Sequence, residues 1–164
     1  ELGNHIRLAW DARPRRTFFL RAETFFNMAT AYEKFPDIDE PIRQLHNRSH
    51  GQQFLDVIRN RFGPGGLFLM DEPEAALSFT SQLALMRVMW EYTSQGSQFI
   101  VATHSPVLLT MPNASIHLID ESGIRLVPLE EAPPFRDVRT FLEAPGSYLH
   151  HLFQDSDDPD EPTA

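Results

Sequence analysis

Leu67-Phe68-Leu69-Met70-Asp71-Glu72-Pro73 decides the fold: four apolar residues in a row end on two adjacent acids and a proline. An unbroken apolar run of this length, without polar alternation, reads as a parallel strand buried on both faces. Gly63-Pro64-Gly65-Gly66 isolates it from what precedes. Downstream, Phe79 to Gln95 predicts a helix with Leu83, Leu85, Met86, Val88, Met89 and Trp90 in its apolar band, ended by Gly96. Gln98 to Ala102 predicts a second buried strand, broken by Thr103-His104-Ser105-Pro106, where a short helix starts. Ser115 to Ile119 predicts a third strand, and Gly123 turns the chain into a hairpin partner, Ile124 to Val127. Strand, helix, strand, short helix, strand implies right-handed crossovers and a parallel α/β sheet. Chemistry in such sheets collects at the carboxyl ends of the strands, which here carry Asp71-Glu72 and His104.

Upstream, Thr17 to Leu20 is short, apolar and β-prone. Ala22 to Lys34 predicts a helix with Phe25, Phe26, Ala29 and Tyr32 on overlapping faces, and Phe35 to Asn47 a connector broken by Pro36 and Pro41. Ser49 can cap a helix through Phe54, Leu55, Ile58 and Phe62. The end, Asp155 to Ala164, is acidic and has nothing large to bury, so it reads as a solvated tail. Over 164 residues, 14 Lys plus Arg face 23 Asp plus Glu, a net charge of −9 that argues against a generic nucleic-acid-coating role. The absence of cysteine excludes a disulfide scaffold and a Cys-type zinc site, and fits a reducing, cytoplasmic setting. No apolar run reaches membrane-spanning length. Glu1 is not a methionine, so the sequence reads as a piece of a longer chain or a trimmed one.

Three short motifs carry chemistry. Adjacent carboxylates at the end of a buried strand are costly unless compensated, and a divalent cation is one compensation. Asp71 can hold Mg²⁺ while Glu72 faces a nucleophilic water; alternatively the pair simply begins a turn into the next helix. His104 on a neighbouring strand tip can donate to a terminal phosphate oxygen, or be an ordinary hydrogen-bonded histidine. Ser49-His50-Gly51-Gln52 opens a helix with exposed N–H groups and a positive dipole end, which suits phosphate; the plain alternative is an N-cap. His150-His151 reads as helix surface, and Arg13-Pro14-Arg15-Arg16 as a solvated basic stretch.

The order and spacing of these motifs resemble the ATP-binding-cassette (ABC) type ATPases. Ser49 to Gln52 resembles the signature loop, with His50 where a glycine is usual. Leu67 to Glu72 resembles Walker B with its catalytic glutamate. Ala76-Leu77-Ser78 resembles the D-loop, with Ser78 in place of an aspartate, and His104 matches the switch histidine. Phe18-Phe19-Leu20-Arg21-Ala22-Glu23, the stretch Asp71 to Ser78 and Gln98 to Pro106 are similar to a bacterial group of soluble AAA/ABC-type ATPases; the likeness covers roughly Thr17 to Leu152. It implies a P-loop NTPase fold and an ATPase using ATP and Mg²⁺, with Asp71 on the metal, Glu72 as general base and His104 as γ-phosphate sensor. Ser49, Gly51 and Gln52 would serve a nucleotide held by a second copy, in a head-to-tail homodimer that hydrolysis toggles between closed and open.

The family's phosphate-cradling loop, Gly-x-x-x-x-Gly-Lys-Ser/Thr (Walker A), does not occur here; the single lysine, Lys34, follows no glycine loop. The expected layout is a partial ATPase domain over residues 1–154, with a helical insert over about 22–62, a sheet part over about 66–128, C-terminal helices over about 137–153, and an acidic tail over 155–164. Glu23 is the candidate for the family's Gln-loop position. A rival reading is a non-catalytic regulatory or assembly subunit that presents its signature loop to a partner ATPase. No residue identifies DNA, a membrane partner or a defence trigger. A sheet without its upstream strands should leave an open edge and uncovered apolar faces.

Overall fold

A computed structural model of the chain describes residues 9, 13–22, 55 and 58–154. The chain divides between His104 and Ser105 into two units.

The first unit is built on three parallel strands in the order β1-β2-β3: β1 (Arg16–Arg21), β2 (Gly66–Asp71) and β3 (Gln98–Ala102). Helix α1 (Phe79–Thr93) connects β2 to β3. Its start is fixed by Ser78, whose side chain accepts the Ser81 N–H at 3.2 Å. Beyond its end, Gly96 stands at φ +80, a conformation that favours glycine. Ser97 ties the entries of the strands together: its buried hydroxyl donates to the Gly63 carbonyl at 2.8 Å and accepts the Gly66 N–H at 3.2 Å.

The register explains where the core lies. Phe18, Phe68 and Phe99 stand abreast, as do Leu20, Met70 and Val101, and alternation puts both rows on one face. Leu85, Val88 and Met89 of α1 are buried. So are Ile58 and Phe62, at the end of the β1–β2 connection. The Phe62 ring lies 4.3 Å from Phe68 and 5.1 Å from Phe99 between centroids, and 6.2 Å from Tyr92 of α1. The described end of the β1–β2 connection and α1 therefore cover the same face. This is what right-handed crossovers must do when strand order advances steadily in one direction.

The other face carries the row Phe19, Leu69 and Ile100, which are 60%, 37% and 54% exposed. The expectation that β2 and β3 are buried on both faces is thus corrected: among the described residues each is covered on one face only. A shallow groove lined by Thr17, Phe18, Phe19, Leu67 and Leu69 runs along β1 and β2. Three aligned apolar side chains beside an open strand edge favour association. The 164-residue chain is expected to sediment as more than a monomer at micromolar concentration. Phe19→Ser with Ile100→Ser should shift it toward monomer, and a monodisperse wild-type monomer in analytical ultracentrifugation would contradict this.

The second unit holds an antiparallel hairpin, β4 (Ile116–Asp120) with β5 (Gly123–Val127), and helices α2 (Pro133–Glu143) and α3 (Pro145–Gln154). The expected third parallel strand is this β4, and it pairs with β5 instead of extending the parallel sheet. The reason is a strong local turn. The Asp120 carboxylate accepts the Ser122 N–H at 2.8 Å and the Ser122 hydroxyl, and Arg125 reaches its other oxygen at 3.3 Å. The Ser122 hydroxyl bond is the main cause that holds the Asp120 carboxyl below its ordinary pKa. Phe141 and Tyr148 meet edge to face at 5.8 Å and join α2 to α3. The first helix starts four residues earlier than the sequence suggests, because Pro133 and Pro134 sit in the first turn, where no intrahelical N–H bond is lost.

Candidate functional site at the strand tips

The carboxyl ends of β1, β2 and β3 bring Arg21, Asp71 and Ala102 abreast, with Glu72 and His104 just beyond. Asp71 is the last residue of β2, and its Oδ2 accepts from Arg21 Nε at 2.9 Å. Both side chains are partly exposed, so the pair contributes about 0–1 kcal/mol to stability. Its consequence is local: a cationic group already stands against the acid for which the sequence suggested a divalent ion.

Glu72 departs from ordinary backbone. Its N–H still donates to the Ala102 carbonyl at 2.9 Å, which extends the parallel ladder one step past Asp71. The residue then adopts φ 47, ψ 51, left-handed and without a glycine. For an L-residue this costs about 1–2 kcal/mol. Pro73 follows at the first position of a 3₁₀ turn (Pro73–Ala76), fully buried, so the proline fixes where the strand stops. Strain held at a strand tip, between a ladder bond on one side and a buried proline on the other, is a mark of functional positions.

His104 leaves the tip of β3 and places Nε2 3.8 Å from Glu72 Oε1. That is beyond hydrogen-bond reach. The imidazole is 83% exposed and the Glu72 side chain 57%, so each can also meet a ligand oxygen. The predicted convergence of the acidic couple and the imidazole on one end of the sheet is what the structure places there.

Among the described residues no group of three or more His, Cys, Asp or Glu could hold a metal ion. A resident, protein-only cage is therefore not built into this tip. Mg²⁺ ordinarily takes one or two carboxylates and completes its shell with phosphate oxygens and water.

Ser49, Gly51 and Gln52, with His50, lie outside the described residues, as do Glu23, most of the expected helical insert and the acidic tail. Ser78, matched to the D-loop, acts in this structure as the N-cap of α1. His150 and His151 are exposed on α3, their ring centroids 5.9 Å apart. Two residues of the tip escaped the sequence reading. Arg21 could have been found only from the β1–β2 register. Glu74 Oε1 accepts the backbone N–H of His104 at 2.7 Å across 30 residues, a contact with no local signal.

Residues 53–110 match a family model described as an AAA domain, putative AbiEii toxin, type IV TA system. Ribose import ATP-binding protein RbsA 2 of Burkholderia cenocepacia (strain HI2424) is 30% identical over 104 residues, 63% of this chain and 19% of the relative. The protein of the same name from Burkholderia orbicola (strain AU 1054) matches to the same extent. These likenesses support an ABC/AAA-like P-loop ATPase at low identity. The family match spans the end of the β1–β2 connection, β2, α1 and β3, so it contains Asp71, Glu72, Glu74 and His104 but not Arg21. The chain spans about a fifth of the length of the curated relatives it matches (19%). Among its described residues no helix is long and apolar enough to cross a membrane.

Proposed function

We propose that the strand tips of this chain form the water- and metal-facing half of an ATP-hydrolysing site. The observation that carries this reading is the strained Glu72 held 3.8 Å from the His104 imidazole, one residue beyond Asp71. Glu72 accepts a proton from the attacking water, His104 donates to a terminal phosphate oxygen, and Asp71 holds Mg²⁺ directly or through water. A bound Mg²⁺ would supply charge neutralisation at the β- and γ-phosphates. Arg21 balances the Asp71 carboxylate before nucleotide arrives, which keeps the acid oriented along the tip. Catalysis of this kind rests on positioning and charge stabilisation, so fixed backbone around Glu72 matters more than any single strong contact.

In the same reading, Ser49, Gly51 and Gln52 close on nucleotide held by a second copy of the chain, and the loop that grips the β- and γ-phosphates is supplied from outside these 164 residues. Residues 1–154 act as one part of an ATPase domain, and residues 155–164 as an acidic tail. The lack of cysteine supports a cytoplasmic setting.

The test is Asp71→Asn in the full-length protein. Removing the carboxylate charge should weaken binding of Mg²⁺-nucleotide on the order of tenfold, or ~1.4 kcal/mol. Binding in the presence of a chelator should not change. Fluorescent-nucleotide titration with and without Mg²⁺ separates the two, and an unaltered Mg²⁺ dependence would count against the assignment.

A further inference from the structure

The chain leaving β3 is pinned to the acidic turn at two points. One is the backbone bond from Glu72 N–H to the Ala102 carbonyl, 2.9 Å. The other is the bond from the His104 N–H to Glu74 Oε1, 2.7 Å. Only Thr103 lies between the two anchors, so the pair fixes the direction in which the strand exits. Without the second anchor, the backbone at His104 would lose the bond that ties it to the turn after β2.

The Glu74 side chain accepts an energetic cost to make that contact. Its Oε2 is buried and has no hydrogen-bond partner among the described residues. A shielded carboxylate oxygen without a partner is unfavourable, and the charge-assisted bond to His104 is the compensation visible on the same group.

We propose that Glu74 is a positioning residue: its carboxylate tethers the His104 backbone and so keeps the imidazole in register with Glu72. The proposal rests on the site reading given above. It predicts that the length of the side chain matters more than its charge. Gln keeps the reach and an acceptor oxygen, Asp keeps the charge but falls one methylene short, and Ala loses both.

Three measurements on the full-length protein test it, with Glu72→Gln run beside them. Amide hydrogen exchange at His104 should speed up about tenfold or more in Glu74→Ala and Glu74→Asp, and much less in Glu74→Gln. The kcat for ATP should fall in the same order, about tenfold or more for Ala and Asp, with KM nearly unchanged, and Gln should restore most of it. Thermal melting identifies any variant that fails to fold; the Gln and Asp pair still decides the matter if Ala does. If exchange at His104 rises in Glu74→Ala or Glu74→Asp while kcat stays at the wild-type value, and Glu72→Gln is inactive, the positioning role of Glu74 is overturned and the site reading stands. Equal loss in Gln and Asp also overturns the tether. If Glu72→Gln turns over normally, the site reading itself fails, and the positioning role of Glu74 with it.

Discussion

Glu72→Gln in the full-length protein is expected to bind nucleotide as the wild type does and to lose turnover by about 10²–10⁴-fold, the usual contribution of a positioned general base. The substitution keeps the shape of the side chain and removes its ability to take a proton. Because the Glu72 side chain is 57% exposed, nothing in the core depends on it, and stability should stay within about 0.5 kcal/mol. A second substitution separates chemistry from strain. At φ 47, ψ 51 a glycine sits without the steric penalty that a glutamate bears. Glu72→Gly should therefore unfold at no lower urea concentration than wild type while turnover is lost as completely as in the Gln variant. A residue whose replacement costs activity and no stability is one held in place for function. Steady-state phosphate release, nucleotide titration and urea unfolding on the same preparations decide it; a Gln variant with wild-type turnover would remove Glu72 from the mechanism.

The residues that made this site legible are those whose constraints are local. Leu67 to Met70 could be read as a strand because apolar runs between a glycine cluster and a proline have few other solutions. Asp71, Glu72 and His104 followed from the strand ends. The apolar band from Leu83 to Trp90 and Gly96 after it marked α1, whereas the Ser78 cap at its start was not read. What could not be read depends on arrangement across the chain. The exposure of Leu69 and Ile100 goes with α1 and the described end of the β1–β2 connection sharing the other face, which no stretch of the sequence states. The pairing of β4 with β5 was half visible: the Gly123 turn was read, but its strength relative to sheet extension lies in the Asp120 contacts with Ser122 and Arg125. Arg21 and Glu74 act over 50 and 30 residues of separation, so periodicity carries no trace of either. The family likeness pointed to the stretch containing Glu74 without giving that residue a task.

Phe68→Ala should be the most destabilising single change in the first unit, at about 3–5 kcal/mol, the range for emptying a buried aromatic site. Phe68 is fully buried on β2 and stacks within 4.3 Å of Phe62 and 5.1 Å of Phe99, so its loss removes two aromatic contacts as well as its own burial. The site can collapse little, since the three rings lock the end of the β1–β2 connection onto the sheet. Gly66 belongs to the same cluster. A Cβ at that position would stand 2.6 Å from Phe68 Cε2, so Gly66→Ala forces the ring out of place and should cost about 1–3 kcal/mol. The two changes should not add. With Phe68 shortened, the methyl group introduced by Gly66→Ala enters space that the ring has vacated, so the double variant should be at least about 1 kcal/mol more stable than the sum of the singles implies. Urea unfolding of the four proteins closes the cycle. Additivity within about 0.3 kcal/mol would mean that the ring does not fill the space beside Gly66, and that the glycine at the entry of β2 is needed for some other reason.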